Sequence, residues 1–222
     1  MCGRFVQARD LDDYLEYYSI DAARLDEEVT PSYNVAPTDP ILTVAEHDGR
    51  RLLGRLRWGL IPHYAKNRRT IHINARLESI TDKPAFRSSF AKRRCLIPAD
   101  GFYEWELLQD GSKQPHFIQL AGMPMALAGI WTRWTDPETG EKLRTCAIIT
   151  TDADPQIAAV HDRMPVSLQP DLWDDWLDPD LVEPDALRGL LDANRPGGFV
   201  DTSVSTMVNS VRNNSPELLV PV

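Results

Sequence analysis

Short alternating apolar segments punctuated by turn residues dominate the chain. "ILTVAEHDGRRLLGRLRWGLI" predicts two strands around an Asp48-Gly49 hairpin turn. "IHINAR" is strand-like, and "RCLIPADGFYEWELLQDGSKQPHFIQL" predicts strands separated by turns at Asp100-Gly101 and Asp110-Gly111. "MALAGIWTRW" and "LRTCAIITT" are two more strands around a polar turn, and "FVDTSVSTMV" is a last one. A second period appears in places. Leu11, Tyr14, Leu15 and Tyr18 recur at helical spacing behind Asp10, a plausible N-cap. Residues 77–92 read as a short helix, and Asp154 followed by Pro155 predicts another over 154–161. "DLWDDWL" and "DALRGLLDA" are short and amphipathic, whereas "PSYNVAPTDP" is proline-broken loop. Helices and strands do not alternate as βαβ units. The expectation is a single α+β domain over 1–222, with a mainly antiparallel β core of barrel-like twisted sheets and short peripheral helices.

Composition narrows the function classes. The chain has 222 residues, 42% of them hydrophobic, enough for one sizeable core. No apolar run reaches the roughly 18 residues of a membrane span, and no secretory signal is apparent. Cys2, Cys95 and Cys146 are odd in number and widely spaced, so neither a disulfide framework nor a zinc pair is expected. The other histidines show no metal-ligand spacing, and no metal or cofactor is expected. A reducing, cytoplasmic setting fits, with nucleoid association only when DNA is bound. Net charge is −9, which argues against a non-specific coat on nucleic acid. Basic residues nevertheless gather at 50–57, 66–69 and 87–94, leaving room for a local basic groove.

Candidate chemistry begins at "MCGRF". Loss of Met1 would make Cys2 a 1,2-aminothiol, with an α-amine of pKa about 7.7–8.0, of which about a tenth or more is the free nucleophile near neutrality. Such an amine condenses with an aldehyde to an imine, and the neighbouring thiol then closes a thiazolidine. An internal cysteine cannot do this, because its nitrogen is an amide. From position alone, a small buried cysteine beside the start and an N-terminal-nucleophile amidohydrolase both remain open.

The segments "MCGRF", "YNVAPT", "RWGLIP", "INARLESI", "RRCLIPADGFYEW", "AGIW" and "HDRMPV" occur in this order and at intervals that resemble the SRAP (SOS response-associated peptidase) family, from Cys2 to about residue 170. The resemblance implies an abasic-site sensor that crosslinks to single-stranded DNA through Cys2 and so shields the lesion. Its electrophile is the C1′ aldehyde of the ring-opened sugar. Self-removal of a leader peptide and weak lyase activity are also implied. A thiol hydrolase acting on peptides or amides is the alternative, and a non-covalent binder of modified or single-stranded DNA is a third. The expected partner is abasic single-stranded DNA, with no membrane and a monomeric chain.

The resemblance assigns catalytic roles to Cys2, Asn74, Glu104 and His161. Glu104 would act as general acid/base at the sugar and the imine, its pKa raised by partial burial. On periodicity alone it is a solvent-facing glutamate of an amphipathic strand. His161 would transfer protons, or be only a cation at a helix end. Asn74 would bond the Cys2 amine or the sugar, or cap a turn. Arg4, Arg76 and Arg163 flank these positions and would hold phosphates. Trp58 and Pro62 would form an apolar step for bases, or pack in the core at a strand end. Asn34 and Pro37 would belong to the same groove wall. His63 and Tyr64 stand where a more tryptophan-rich segment is expected.

Overall fold

The structure, a computed structural model, describes residues 2–194 and 196–222; Met1, on whose removal the aminothiol reading depends, lies outside them. In chain order the elements are β1 (Phe5–Gln7), α1 (Leu11–Tyr17), β2 (Ala22–Ala23), β3 (Ser32–Val35), β4 (Pro40–His47), β5 (Arg50–Trp58), β6 (Asn74–Arg76), α2 (Arg87–Lys92) and β7 (Arg94–Ala99). There follow β8 (Gly101–Leu107), β9 (Lys113–Leu120), β10 (Met125–Thr135), β11 (Lys142–Asp152), β12 (Arg163–Pro165), β13 (Ser167–Leu168), α3 (Trp173–Leu177), α4 (Pro184–Ala193) and β14 (Phe199–Ser203).

The Asp48-Gly49 turn forms as expected. Both residues take positive φ, 54° and 71°, the twist a two-residue hairpin requires, and His47 pairs with Arg50 across it. The larger sheet runs β12-β11-β10-β7-β4-β5-β2. It closes on itself where β5 pairs in parallel with β11, Arg57 opposite Thr145 and Trp58 opposite Cys146. Five strands, β11-β10-β7-β4-β5, thereby form a barrel. The second sheet, β14-β9-β8-β1-β3, lies across one end of it.

Local expectations change in places. The expected loop 31–40 contains β3, and of the expected helix 77–92 only Arg87–Lys92 is α-helical. Asp100-Gly101 is not a hairpin turn but the corner where the chain leaves β7 in the barrel and enters β8 in the second sheet. Glycine is required there because a Cβ would lie 2.5 Å from the Phe117 ring and 2.6 Å from the Ile118 carbonyl oxygen. The expected helix over 154–161 is a run of turns. The Asp154 carbonyl accepts from both Ile157 and Ala158, its side chain accepts from Gln156, and buried Ile157 pins the loop to the core. The Asp154 side chain competes with the helical ladder there.

Alternation along each barrel strand separates two cores. Inward positions such as Ile41, Leu56, Trp58, Cys95, Ile97, Leu127, Cys146 and Ile148 pack with Phe5, Phe102 and Cys2 between barrel and second sheet. Outward positions such as Val44, Leu53, Leu96, Ala128 and Ile149 receive Tyr14, Phe90, Trp173, Trp176 and Leu187 from the helices. A smaller cluster on the back of the second sheet joins Val6, Tyr103 and Phe117 to Val204, Val208 and Leu218 of the C-terminal segment. The buried polar tips find partners: Tyr18 donates to the Met125 carbonyl at 2.6 Å, and the Trp176 indole to the Cys95 carbonyl at 3.0 Å.

Arg94 fastens the helical layer. Its guanidinium is buried and donates to the carbonyls of Phe90, Ala91, Trp176 and Asp178, with the Trp176 ring 5.5 Å away. Burial lowers its pKa to about 10, against the opposing pull of the Asp178 carboxylate. Arg94→Ala leaves four carbonyls without their donor and should cost about 3 kcal/mol of stability in urea unfolding. Arg94→Lys, with one compact ammonium, should recover only part. A loss below about 0.5 kcal/mol, the level of an ordinary surface change, would contradict this account.

Candidate active site

Cys2 is fully buried in the seam between the barrel end and the second sheet. β1 carries it there by pairing Phe5 with Phe102 of β8 on one side and Val35 of β3 on the other. The Cys2 carbonyl accepts from Asn74 Nδ2 at 2.7 Å, and Sγ lies 4.0 Å from the Arg4 carbonyl oxygen. Asn74 is set by β6, which adds in parallel to β11 with Asn74 opposite Ile148. It therefore fixes the backbone of Cys2. Its buried Oδ1 has no hydrogen-bond partner among the described residues. Burial first, and the Glu104 carboxylate second, push the Cys2 thiol far above its ordinary range. The sulfur is held as S–H.

Glu104 lies on the inner face of β8, two residues after core Phe102, and is 3% exposed. The outward neighbour Tyr103 donates to the Tyr33 carbonyl at 2.9 Å. Burial raises the pKa of Glu104, and nearby His161 opposes the shift. The solvent-facing reading of this glutamate is replaced by a buried one, because the second sheet packs its inner face onto the barrel.

His161 ends the run of turns, half-buried, with Nε2 4.0 Å from Glu104 Oε2. Its Nδ1 is 2.9 Å from the Arg163 backbone nitrogen and 2.9 Å from Asp162 Oδ1. The amide is an obligatory donor, so in the neutral ring the proton sits on Nε2 and faces Glu104.

The remaining positions separate into two groups. Arg4 donates to Asn34 Oδ1 at 2.7 Å and to the Val208 carbonyl at 2.9 Å, and burial lowers its pKa. Asn34 is itself buried and donates to the carbonyls of Val208, Ser210 and Asn213. Together they tie β1 and β3 to the C-terminal segment. Arg163 is held by Glu78, by Asp152 and by the Thr150 carbonyl. Trp58 and Pro62 take the packing alternative. Trp58 is fully buried, edge-on to Phe5 at 5.0 Å, and its indole donates to the Ile73 carbonyl. Pro62 is buried after it, and Pro37 is half-buried at the turn beyond β3. Arg76 differs: it is exposed and forms no ion pair among the described residues.

Outside the assigned set, Trp105, Lys113 and Asn209 join Glu104 and His161 around a cleft of about 400 Å³. The Trp105 indole donates to Asn209 Oδ1 at 2.7 Å, closing one lip with the C-terminal segment. Trp105 was within reach of the "FYEW" motif, but nothing in the sequence ties Asn209 to it. Below the lip, buried His116 lies between Asp201, 2.8 Å from Nδ1, and Glu106, 3.2 Å from Nε2. Among the described residues no cluster of three His, Cys, Asp or Glu is placed to hold a metal, and no helix is long and apolar enough to cross a membrane.

Comparison with known proteins places the chain among relatives. The SOS response associated peptidase (SRAP) family model matches residues 1–211. The abasic site processing protein YoqW of Bacillus subtilis is 43% identical over 222 residues, covering 99% of each chain. YedK of Escherichia coli, another abasic site processing protein, is 33% identical over 230 residues and the full length of both chains. HMCES of Gallus gallus, of the same description, is 34% identical over 86% of this chain and 66% of its own. An X-ray structure of a protein from Bacteroides thetaiotaomicron superposes over both full chains with a TM-score of 0.85 at 24% identity, a likeness of fold. A phage-related protein from Bordetella bronchiseptica does so at 0.74 and 33% identity, over 91% of this chain and 94% of its own.

The burial of Glu104 has a consequence for stability. Its folded pKa is raised, so the folded chain holds a proton that the unfolded one has released. Stability therefore falls as pH rises from about 4.3, the unfolded value, through the raised folded value. Glu104→Gln should melt a few degrees higher than wild type near neutral pH, with the gap closing toward pH of about 4. Thermal unfolding at the two pH values checks this; a variant that melts lower at neutral pH would show the carboxylate to be stabilising instead.

Proposed function

Because this chain belongs to the SOS response-associated peptidase (SRAP) family, whose model matches residues 1–211, we propose that it processes abasic sites by linking Cys2 to the lesion in single-stranded DNA. Removal of Met1 frees the Cys2 amine. The amine attacks the C1′ aldehyde of the ring-opened deoxyribose, and loss of water gives an imine. The S–H then adds across the C=N bond, sulfur to carbon and proton to nitrogen, closing a thiazolidine. No oxidant or cofactor enters this balance.

The observation that carries the reading is the placement of buried Cys2, its carbonyl held by Asn74, in one seam with the buried Glu104 carboxylate; burial raises the pKa of both groups. An amine-first route needs a neutral thiol that adds late. A thiol hydrolase needs a thiolate from the start, which burial and Glu104 both oppose. Glu104, protonated more readily than an ordinary glutamate, suits protonation of the ring oxygen and of the departing hydroxyl. His161, with Nε2 toward Glu104, suits return of the proton. Asn74 acts through the Cys2 carbonyl, and its open Oδ1 suits a sugar hydroxyl or the free amine. Arg76 is the arginine left to meet phosphate, whereas Arg4 and Arg163 stiffen the frame around the site. Removal of a leader by the same residues, and slow strand cleavage through the imine, follow from the chemistry as minor activities.

Crosslinking to an abasic oligonucleotide tests this. Purified chain lacking Met1, confirmed by intact mass, should give an SDS-stable band with an abasic oligonucleotide, and Cys2→Ala should give none. Glu104→Gln and His161→Gln should slow the same band by about 10²–10⁴-fold if they transfer protons in the rate-limiting step. An adduct mapped to another side chain, or repeated turnover of an amide substrate, would favour a different chemistry. Arg76→Ala should weaken capture and lower its salt dependence by about one phosphate contact, with little change in melting temperature.

A further inference from the structure

The five-stranded barrel has a second mouth. Cys2 and the second sheet close one end, where Ile148 and Ala99 face inward. Four residues back along β11, about 13 Å at strand rise, the other end is open. Inward positions there are small: Thr43 of β4 lies opposite Gly54 of β5, and Ala45 opposite Leu52. They leave a cavity of about 600 Å³, within the size range of small-molecule sites. Leu52, Leu56 and Trp131 line its apolar part.

Its charges are placed unusually. Arg133 and Arg144 stand directly opposite each other across β10 and β11. Like charges in that position oppose sheet pairing. Both are exposed, and neither forms an ion pair among the described residues, although the chain carries nine more acidic than basic groups. The Arg133 guanidinium lies 5.8 Å from the Trp131 ring. Arg24 and Arg55 also line the cavity, the latter held by the Glu27 and Glu28 carbonyls. Asp26, Glu27, Glu46 and His47 also line it.

We propose that this mouth binds a single nucleotide unit, its phosphate between Arg133 and Arg144 and its ring against Leu52, Leu56 and Trp131. Two adjacent guanidinium forks without a carboxylate match one phosphate. An aromatic and aliphatic wall matches a planar ring. The three carboxylates accept from exocyclic amino groups and repel a polyphosphate chain. The source is either a free nucleotide or one nucleotide of a strand passing over the barrel. The assignment is independent of the chemistry at Cys2.

Calorimetric titration of the full chain with deoxyadenosine monophosphate, deoxyadenosine, inorganic phosphate and an undamaged oligonucleotide tests it. The monophosphate should bind one per chain, about tenfold or more tighter than deoxyadenosine or phosphate alone. The exposed pair Arg133→Ala with Arg144→Ala should weaken it by about tenfold or more. Ala45→Leu, which fills the cavity, should do likewise, and Cys2→Ala should leave it unchanged. If Ala45→Leu does not fold, the surface pair carries the test. An oligonucleotide that displaces the monophosphate identifies the strand as the source, and one that does not identifies the free nucleotide; either supports the site. Absence of saturable binding, binding indifferent to the arginine pair, or binding lost with Cys2→Ala would overturn it.

Discussion

Chain termini usually lie in solvent, and holding one inside a core must be enforced by many contacts. Here the second residue is fully buried, its carbonyl held by Asn74 and its strand sandwiched between β3 and β8. The rest of the site depends on that constraint. With β1 fixed by two ladders, Cys2 stays in the seam, where it meets the Glu104 carboxylate of β8. Burial then sets both protonation states together, a thiol that keeps its proton and a carboxylate slow to lose its own.

The basic residues around the seam contribute rigidity more than charge. Arg4 binds Asn34 and the C-terminal segment; Arg163 binds Glu78 and Asp152, and so locks the strand that follows His161. Arg94 plays the same part on the far side of the barrel wall, satisfying carbonyls of α2 and α3 through hydrogen bonds to the backbone. An acidic protein that linked covalently to a strand, as proposed above, would need few arginines free for phosphate. The barrel organises both functions proposed for the chain: one mouth is closed over Cys2, the other is lined by arginines and left open.

Much of this was legible beforehand. Asp48-Gly49 between alternating segments predicts a hairpin because only a few residues accept positive φ twice in succession. The aromatic spacing in "DLDDYLEYYSI" predicts α1. The residues brought together at the seam, Cys2, Asn74, Glu104 and His161, are those that the family motifs single out. Less was legible where two local rules compete. Asp154 with Pro155 begins a helix on paper, but its side chain and carbonyl satisfy the following amides as turns. Asp100-Gly101 has the composition of a hairpin, yet the chain there passes between two sheets.

By itself the sequence determined the α+β class, most strands, several turns and a cysteine at position 2 that loss of Met1 would turn into an aminothiol, because these depend on residue type and near-neighbour spacing. Only the tertiary structure decided that Trp58 packs rather than stacks, that Glu104 is buried, that Asn74 holds a carbonyl, and that Asn209 closes the cleft. Each of those depends on which distant strand arrives at the same place. Arg57 meets Thr145 and Arg4 meets Val208 across gaps in the chain that no periodicity encodes.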